Sequence, residues 1–450
     1  MKKNLPHSLK HIVFISVALL TLTACKNDKN KTDPENVDIA IKADKNNAAL
    51  TLPDGFGALR IADTLGKVRH IAVNKKGTLY AKLEDAKNEN GIIILKDTNG
   101  DGRMDDQTSF GDYGGTGIAL HNNQLYASSN SAVFRYKLGD DDMPYNKEQP
   151  DTIISGLIDR RQHNSKSITF DDAGNIYVNI GAYSNNCQEK DRTKGSDGMQ
   201  PCPVLDSAAG IWQFKADKLK QTYGSGERFA TGLRNVVGLD WNKQAGDLFV
   251  MMHGRDQLHS LYPDMYTEEQ SSELPAETMY ALKKGDNAGW PYQYYDPEKK
   301  KYIQAPEYGG DGKKSGEEEA VDPVMAFPAH MAPDGLLFYT GDMFPEKYKN
   351  GAFIAFHGSW NRNGQQKGFM VAFVPFKNGA PSGSDWEVFA DGFKGAETVE
   401  SANDAEHRPT GLAQGPDGSL YVSDDKGGSI YRIIYNKEGA EENSAQAYNQ

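Results

Sequence analysis

One pattern recurs six times along this chain and limits what it can fold into. A short apolar strand is followed by a tight turn and a second strand that carries Tyr or Phe. It reads RHIAVNKKGTLYAKL from Arg69, GIALHNNQLYASS from Gly117, SKSITFDDAGNIYVNIG from Ser165 and NVVGLDWNKQAGDLFVMM from Asn235. A divergent copy, LLFYTGDMFPEKYKNGAFIAFHG, starts at Leu336, and RPTGLAQGPDGSLYVSDD starts at Arg408. The turns hold Gly, Asn and Asp as hairpins require, and the strands are rich in β-branched and aromatic residues. Most copies run on into a further strand, such as AVFRYKL, GIWQF or GSIYRIIY. Repeats of this kind bury their faces only against neighbours, so the chain is predicted to be all-β, a six-bladed β-propeller. An array of β-sandwiches is the alternative. Polar insertions fall near 258–279 and 293–325, and a short helix is expected from Pro345 to Tyr348.

The N-terminus is of a different kind. A basic start is followed by Ile12 to Leu20, an apolar run too short to span a bilayer, and then by Leu22-Thr23-Ala24-Cys25. This resembles a bacterial lipoprotein signal, which implies removal of residues 1–24 and lipidation of Cys25; an ordinary signal peptide with a chance Cys is the alternative. The expected location is the cell envelope, anchored by lipid, with the outer membrane favoured. Residues 25–50 are polar and charge-dense and read as a flexible tether; 51–436 is the propeller and 437–450 a disordered tail. A net charge of −12 argues against nucleic acid as a partner. Outside the cytoplasm, Cys187 and Cys202 are expected to form a disulfide, with two free thiols as the alternative. Closing a loop of about 15 residues contributes on the order of 3 kcal/mol in a chain-entropy description.

In a propeller the loops that precede the first strand of each repeat converge on the central channel. Here they carry Arg69, His70, His163, Arg234, Asn235, His330, His407 and Arg408, and the segment His357 to Arg362 joins them after its strand. Each has a plain structural explanation alone. Together, Arg and His at one register of successive repeats point to an anionic ligand, since guanidinium binds carboxylate through both oxygens. Asp97, Asn99 and Asp101, in DTNGDGRMDD, have the alternating oxygens of a calcium loop but lack the closing Glu; an acidic turn is equally consistent with them.

At these residues the chain resembles a known family. GLRNVVGLDWN, AETMYALKKGDNAGWPYQYYD, HMAPDGLLFYTGDMFPEKYKNGAFIAFHGSWNR and HRPTGLAQGPDGSLYVSDDKGGSIYRI are similar to the pyrroloquinoline-quinone (PQQ)-dependent sugar dehydrogenases, in particular the sorbosone and pyranose dehydrogenase branch. The resemblance implies a six-bladed propeller that binds PQQ and calcium and oxidises a sugar or sugar aldehyde, passing electrons to an external acceptor. It implies that His163 is the catalytic base, with Arg234 and Asn235 facing the quinone oxygens. Arg408 would bind a cofactor carboxylate and Arg362 would lie over the cofactor. Carbonyls of Gly254 and Arg255 would hold the calcium. Two departures stand out. His407-Arg408 supplies one arginine where the family's glucose dehydrogenases have two, and Gly254-Arg255 replaces a Gly-Pro, so that the Arg255 side chain is expected to enter the site. Asp256 and Glu277 read as supporting carboxylates rather than ligands. A non-catalytic carbohydrate- or partner-binding propeller and a calcium-dependent lactonase are the competing readings.

Overall fold

The computed structural model describes residues 41–87 and 90–436. The leader 1–24, Cys25, tether residues 26–40 and the tail 437–450 lie outside the described residues.

Each repeat supplies the two innermost strands of one antiparallel sheet. The first blade is built from Val68–Val73, Leu79–Lys87, Asn90–Lys96 and Asp106–Phe110, in that order from the centre outward. The second runs from Ile118–His121 through Gln124–Ser128 and Ala132–Lys137 to Asp151–Ser155, with the short strand Gln221–Thr222 added in parallel. The third comprises Ile168–Phe170, Asn175–Ile180, Gly210–Lys215 and Glu227–Thr231. Val236–Asn242, Asp247–Met252, Glu277–Leu282 and Met325–Phe327 make the fourth. The fifth holds Pro333–Phe338, Ala352–Phe356, Met370–Val374 and Glu387–Ala390. In the sixth, Pro409–Gln414, Leu420–Asp424 and Ile430–Tyr435 are completed by Phe56–Ala62 from the other end of the propeller, so the ring is closed by main-chain hydrogen bonds.

The six innermost strands neighbour one another in a closed circle. They line a channel cavity of ≈ 240 Å³ to which every blade contributes, from His70 to Gln414. The main core is divided between the blades, one apolar cluster at each interface. Val178, Ile180 and Trp212 of the third blade pack on Val133 and Ile154 of the second, and Phe353 and Phe373 of the fifth on Val422 and Tyr431 of the sixth. Both faces of each sheet are thereby covered, as expected for repeats that bury surface only against neighbours.

The polar insertions form two short helices, Leu258–Leu261 and Glu268–Glu273, and the hairpin Gln293–Asp296 with Lys301–Gln304. The helix expected near Pro345 is a 3-10 turn, Glu346–Tyr348. The last part of the expected tether is corrected: from Ile41 onward it is docked. Ile41 packs against an inter-blade cluster and Leu50 is buried. The carboxylate of Asp44 accepts from the Arg60 amide at 2.8 Å and pairs with Arg103. The charge count had hidden two apolar anchors and a carboxylate with its own partners.

Candidate active site

Residues at the starts of the innermost strands and on the loops between blades gather at one mouth of the channel. Arg234 ends the loop before its strand and is buried. Its Nε donates to Asn185 O at 3.1 Å and Nη1 to Gly254 O at 2.8 Å. Its Nη2 donates to Asp256 Oδ2 at 2.8 Å and to Asn185 Oδ1 at 3.1 Å. Asp256 is the hub: Arg192 donates to Oδ2 at 2.9 Å and Asn361 Nδ2 to Oδ1 at 2.9 Å. Burial opposes its charge, but Arg234, His330 and Arg192 override that and hold the carboxylate well below the usual range.

His163 stands beside this hub. It takes a positive φ of 50°, and its Nδ1 lies 2.6 Å from Ala182 O. A carbonyl only accepts, so Nδ1 carries the hydrogen and Nε2 keeps its lone pair. Most of its surface is covered, and burial with the Arg234 charge pushes its pKa down to about 3, so the ring is neutral at physiological pH. Gly181 makes room for it: a Cβ there would lie 2.6 Å from His163 Cβ and 3.1 Å from Asn235 Oδ1. Asn235 Oδ1 is buried without a hydrogen-bond partner.

A second network adjoins the first. Arg69 bridges Asp425 at 2.6 Å and Asp334 at 3.2 Å, and His357 Nε2 contacts Asp425 Oδ1 at 2.7 Å. Arg408 donates from Nε to His357 O at 3.0 Å and from Nη2 to Gly358 O at 2.7 Å, leaving Nη1. His70 Nε2 meets Asp334 O at 2.9 Å, and burial takes its pKa down to about 4. His253 links the two networks: its amide donates to Asn235 O at 2.9 Å and its Nε2 lies 3.2 Å from Pro333 O.

Several expected residues point elsewhere. Arg362 donates to Ala329 O at 2.8 Å, to Ser272 O and to Glu273, pinning its loop to the helix Glu268–Glu273. His407 contacts Asp424 Oδ2 at 2.7 Å and faces the ring-closing strand through Arg60. Arg255 corrects an expectation: its side chain turns away from the site and clasps Glu307 at 2.7 and 2.6 Å, the two side chains being 1% and 0% exposed. A buried guanidinium needs a carboxylate, and the insertion supplies one. Glu277 accepts from the Gly254 amide at 3.1 Å, and burial raises its pKa to about 8. In the acidic loop, Asp97 accepts from the amides of Gly100 and Gly102 at 2.7 and 2.8 Å. Asn99 accepts from Asp101 at 2.9 Å and Asp101 from Arg103 at 2.8 Å.

The expected disulfide is present: Cys187 is bonded to Cys202, with Cα atoms 6.1 Å apart. The loop it closes delivers Arg192 to Asp256, and the residues just before it, Asn185 and Asn186, bond Arg234 and Glu307. Asn185, Arg192, Asp334, Asp425 and Glu307 were not singled out in the sequence. Asn and Asp are common in turns, and nothing in their spacing marks them.

The fold and the channel mouth together define a six-bladed propeller with a site built from guanidinium, imidazole and amide groups. The chain matches the TrAA12-like family model over residues 50–436 and belongs to that family. It is 26% identical over 274 residues to a pyrroloquinoline quinone-dependent pyranose dehydrogenase of Coprinopsis cinerea, covering 53% of this chain and 36% of that protein. A Borreliella burgdorferi protein is 28% identical over 211 residues, 47% of this chain and 49% of its own. The chain thus spans about half or less of the length of these curated relatives. The holo PQQ domain of the Coprinopsis cinerea pyranose dehydrogenase has the same fold, with a TM-score of 0.68 at 20% identity over 86% of this chain and 97% of that one. So does a calcium structure of a Trichoderma reesei family AA12 enzyme, at 0.68 and 18% over 89% and 99%.

Proposed function

We propose that the chain is a PQQ-dependent oxidoreductase that takes hydride from a CH–OH group of a sugar or sugar aldehyde and passes the electrons to an external acceptor. The observation that carries it is His163, neutral, with Nε2 free, next to the unpartnered buried amide of Asn235. The named relatives and family membership support the same chemistry.

The residues fit a tricarboxylate quinone. The Nη1 of Arg408 remains to donate to a carboxylate, and the buried, unpartnered oxygens Asn235 Oδ1 and Asn361 Oδ1 can accept from an N–H of the cofactor or a hydroxyl of the substrate. When bound, PQQ supplies an ortho-quinone that accepts two electrons and a proton. His163 then takes the hydroxyl proton of the substrate at Nε2, while Ala182 O fixes its tautomer and ring plane. Arg234, locked by four hydrogen bonds, keeps a positive charge beside the reacting groups without reorganising. The calcium ligands expected from the resemblance fit less well. Of the two expected carbonyls, that of Gly254 already accepts from Arg234, and Asp256, expected only to support them, is paired with two guanidiniums. No group of three or more His, Cys, Asp or Glu placed to hold a metal occurs among the described residues. The cell-envelope anchor at Cys25 is part of this proposal, since it would hold the site near membrane-bound acceptors.

The test is to add PQQ, with and without calcium, to the purified chain and to follow dye reduction with a panel of aldoses and ketoaldoses. Saturable turnover with at least one sugar is expected. PQQ binding without turnover would favour a carbohydrate-binding propeller, and hydrolysis of a lactone under calcium alone would favour a lactonase.

A further inference from the structure

Trp360 is 60% exposed, although the residues on either side of it are held tightly. Singly exposed apolar residues are ordinary on protein surfaces. This one differs in its mount and its place. Ser359 is fully buried; its Oγ donates to Gln366 Oε1 at 2.8 Å and accepts from the Lys367 amide at 2.9 Å. Asn361 reaches the hub carboxylate of Asp256 at 2.9 Å, and Gly358 O accepts from Arg408 at 2.7 Å. Arg362 is pinned to Ala329 O at 2.8 Å. The indole therefore projects from a rigid turn whose flanking residues line the candidate site. Among the described residues it forms no ring stack or cation–π pair.

We propose that Trp360 is a stacking platform for a pyranose ring at the rim of the site, and so a specificity-setting group for the substrate. The inference rests on the sugar-oxidoreductase reading. The rest of the site is guanidinium, imidazole, amide and carboxylate, which suits hydroxyls and anions. A pyranose also has an apolar C–H face, and nothing among those groups matches it. An indole does, and with only two side-chain torsions it loses little entropy when it becomes fixed. The platform holds the ring at the channel mouth by its apolar face, while His163 and Asn235, meeting its hydroxyl edge, orient it.

Fluorescence reads this directly. Of the five tryptophans, Trp212 and Trp290 are buried, Trp241 and Trp386 half-buried, and Trp360 alone is exposed. Titrating the full chain, without cofactor, with methyl pyranosides of the gluco, galacto, manno and xylo series should give saturable quenching or a blue shift with at least one. Trp360→Ala should abolish that signal and Trp360→Phe should retain part of the affinity. In turnover, Trp360→Ala should raise KM about tenfold with kcat unchanged, the loss of about 1.4 kcal/mol of binding shared by ground and transition states. A wild-type chain whose emission no pyranoside changes overturns the platform, and so does a variant with unaltered sugar KM. If Trp360→Ala instead weakens PQQ binding alone, the indole faces the cofactor and the proposal is wrong. Absence of turnover with quenching intact would count against the enzyme reading and leave the sugar platform standing.

Discussion

His163 and Arg255 illustrate opposite outcomes for a polar residue at the channel mouth. His163 keeps a free nitrogen, and its pKa near 3 means that the protonated ring does not accumulate at any ordinary pH. Its own contribution to kcat/KM should therefore be level from about pH 8 to about pH 5, with no break at the ordinary imidazole value near 6.5. A pH series of sugar-dependent dye reduction checks this. Replacing it, His163→Ala, should lower kcat by about 10²–10⁴-fold while PQQ still binds. Arg255 has instead become structural. Arg255→Met leaves Glu307 buried and unpaired, and should destabilise the chain by about 3–5 kcal/mol in urea denaturation. The double change Arg255→Met with Glu307→Leu should recover most of that loss, because two apolar groups leave no charge stranded.

At the scale of elements, the disulfide loop is the clearest dependency. It connects the third blade to Asp256 through Arg192, while Asn185, just before it, bonds Arg234. Cys187→Ser with Cys202→Ser should cost about 3 kcal/mol by freeing a short loop in the unfolded chain. It should also raise the concentration of PQQ needed for half-saturation, measured by quinone titration of the variant. An unchanged titration would mean that the loop is positioned by its other contacts. The innermost hairpins were legible in the sequence because alternation and Gly-containing turns recur at each, as in DDAGN before Ile176 and GPDGS before Leu420. The closing strand Phe56–Ala62 was not, because it precedes the first repeat and has its partners, Ile430–Tyr435, at the far end of the chain. Arg234, Asn235, His163 and Arg408 were legible as a loop register shared between repeats. The pairing of Arg255 with Glu307 was not, because it joins two segments with no common pattern.

For the whole molecule, buried imidazoles set the acid response. His163 and His70 are pushed down to about 3 and about 4, and His253 and His330 are also lowered, chiefly by burial. Each therefore binds a proton in the unfolded chain as pH falls below about 6.5, but not yet in the folded one, so stability is lost on acidification. Glu277 and Asp240, raised to about 8 and about 6 by burial, act in the other direction, but they are two against four. Melting temperature should therefore fall steadily from pH 6.5 to 4 in scanning calorimetry; a flat profile would contradict the burial of these rings. The same division of the core into inter-blade clusters makes the ring one cooperative unit, since no blade covers both its faces without neighbours.

The most direct measurement is anaerobic. The full chain is loaded with PQQ, and the quinone spectrum is recorded before and after addition of a saturating sugar from the panel, with no electron acceptor present. Bleaching of the oxidised quinone by one equivalent of sugar, at a rate at least about 100-fold slower in His163→Ala, is the expected result. A quinone that binds but stays oxidised with every sugar, or one reduced equally fast in the variant, would contradict an active site built on His163.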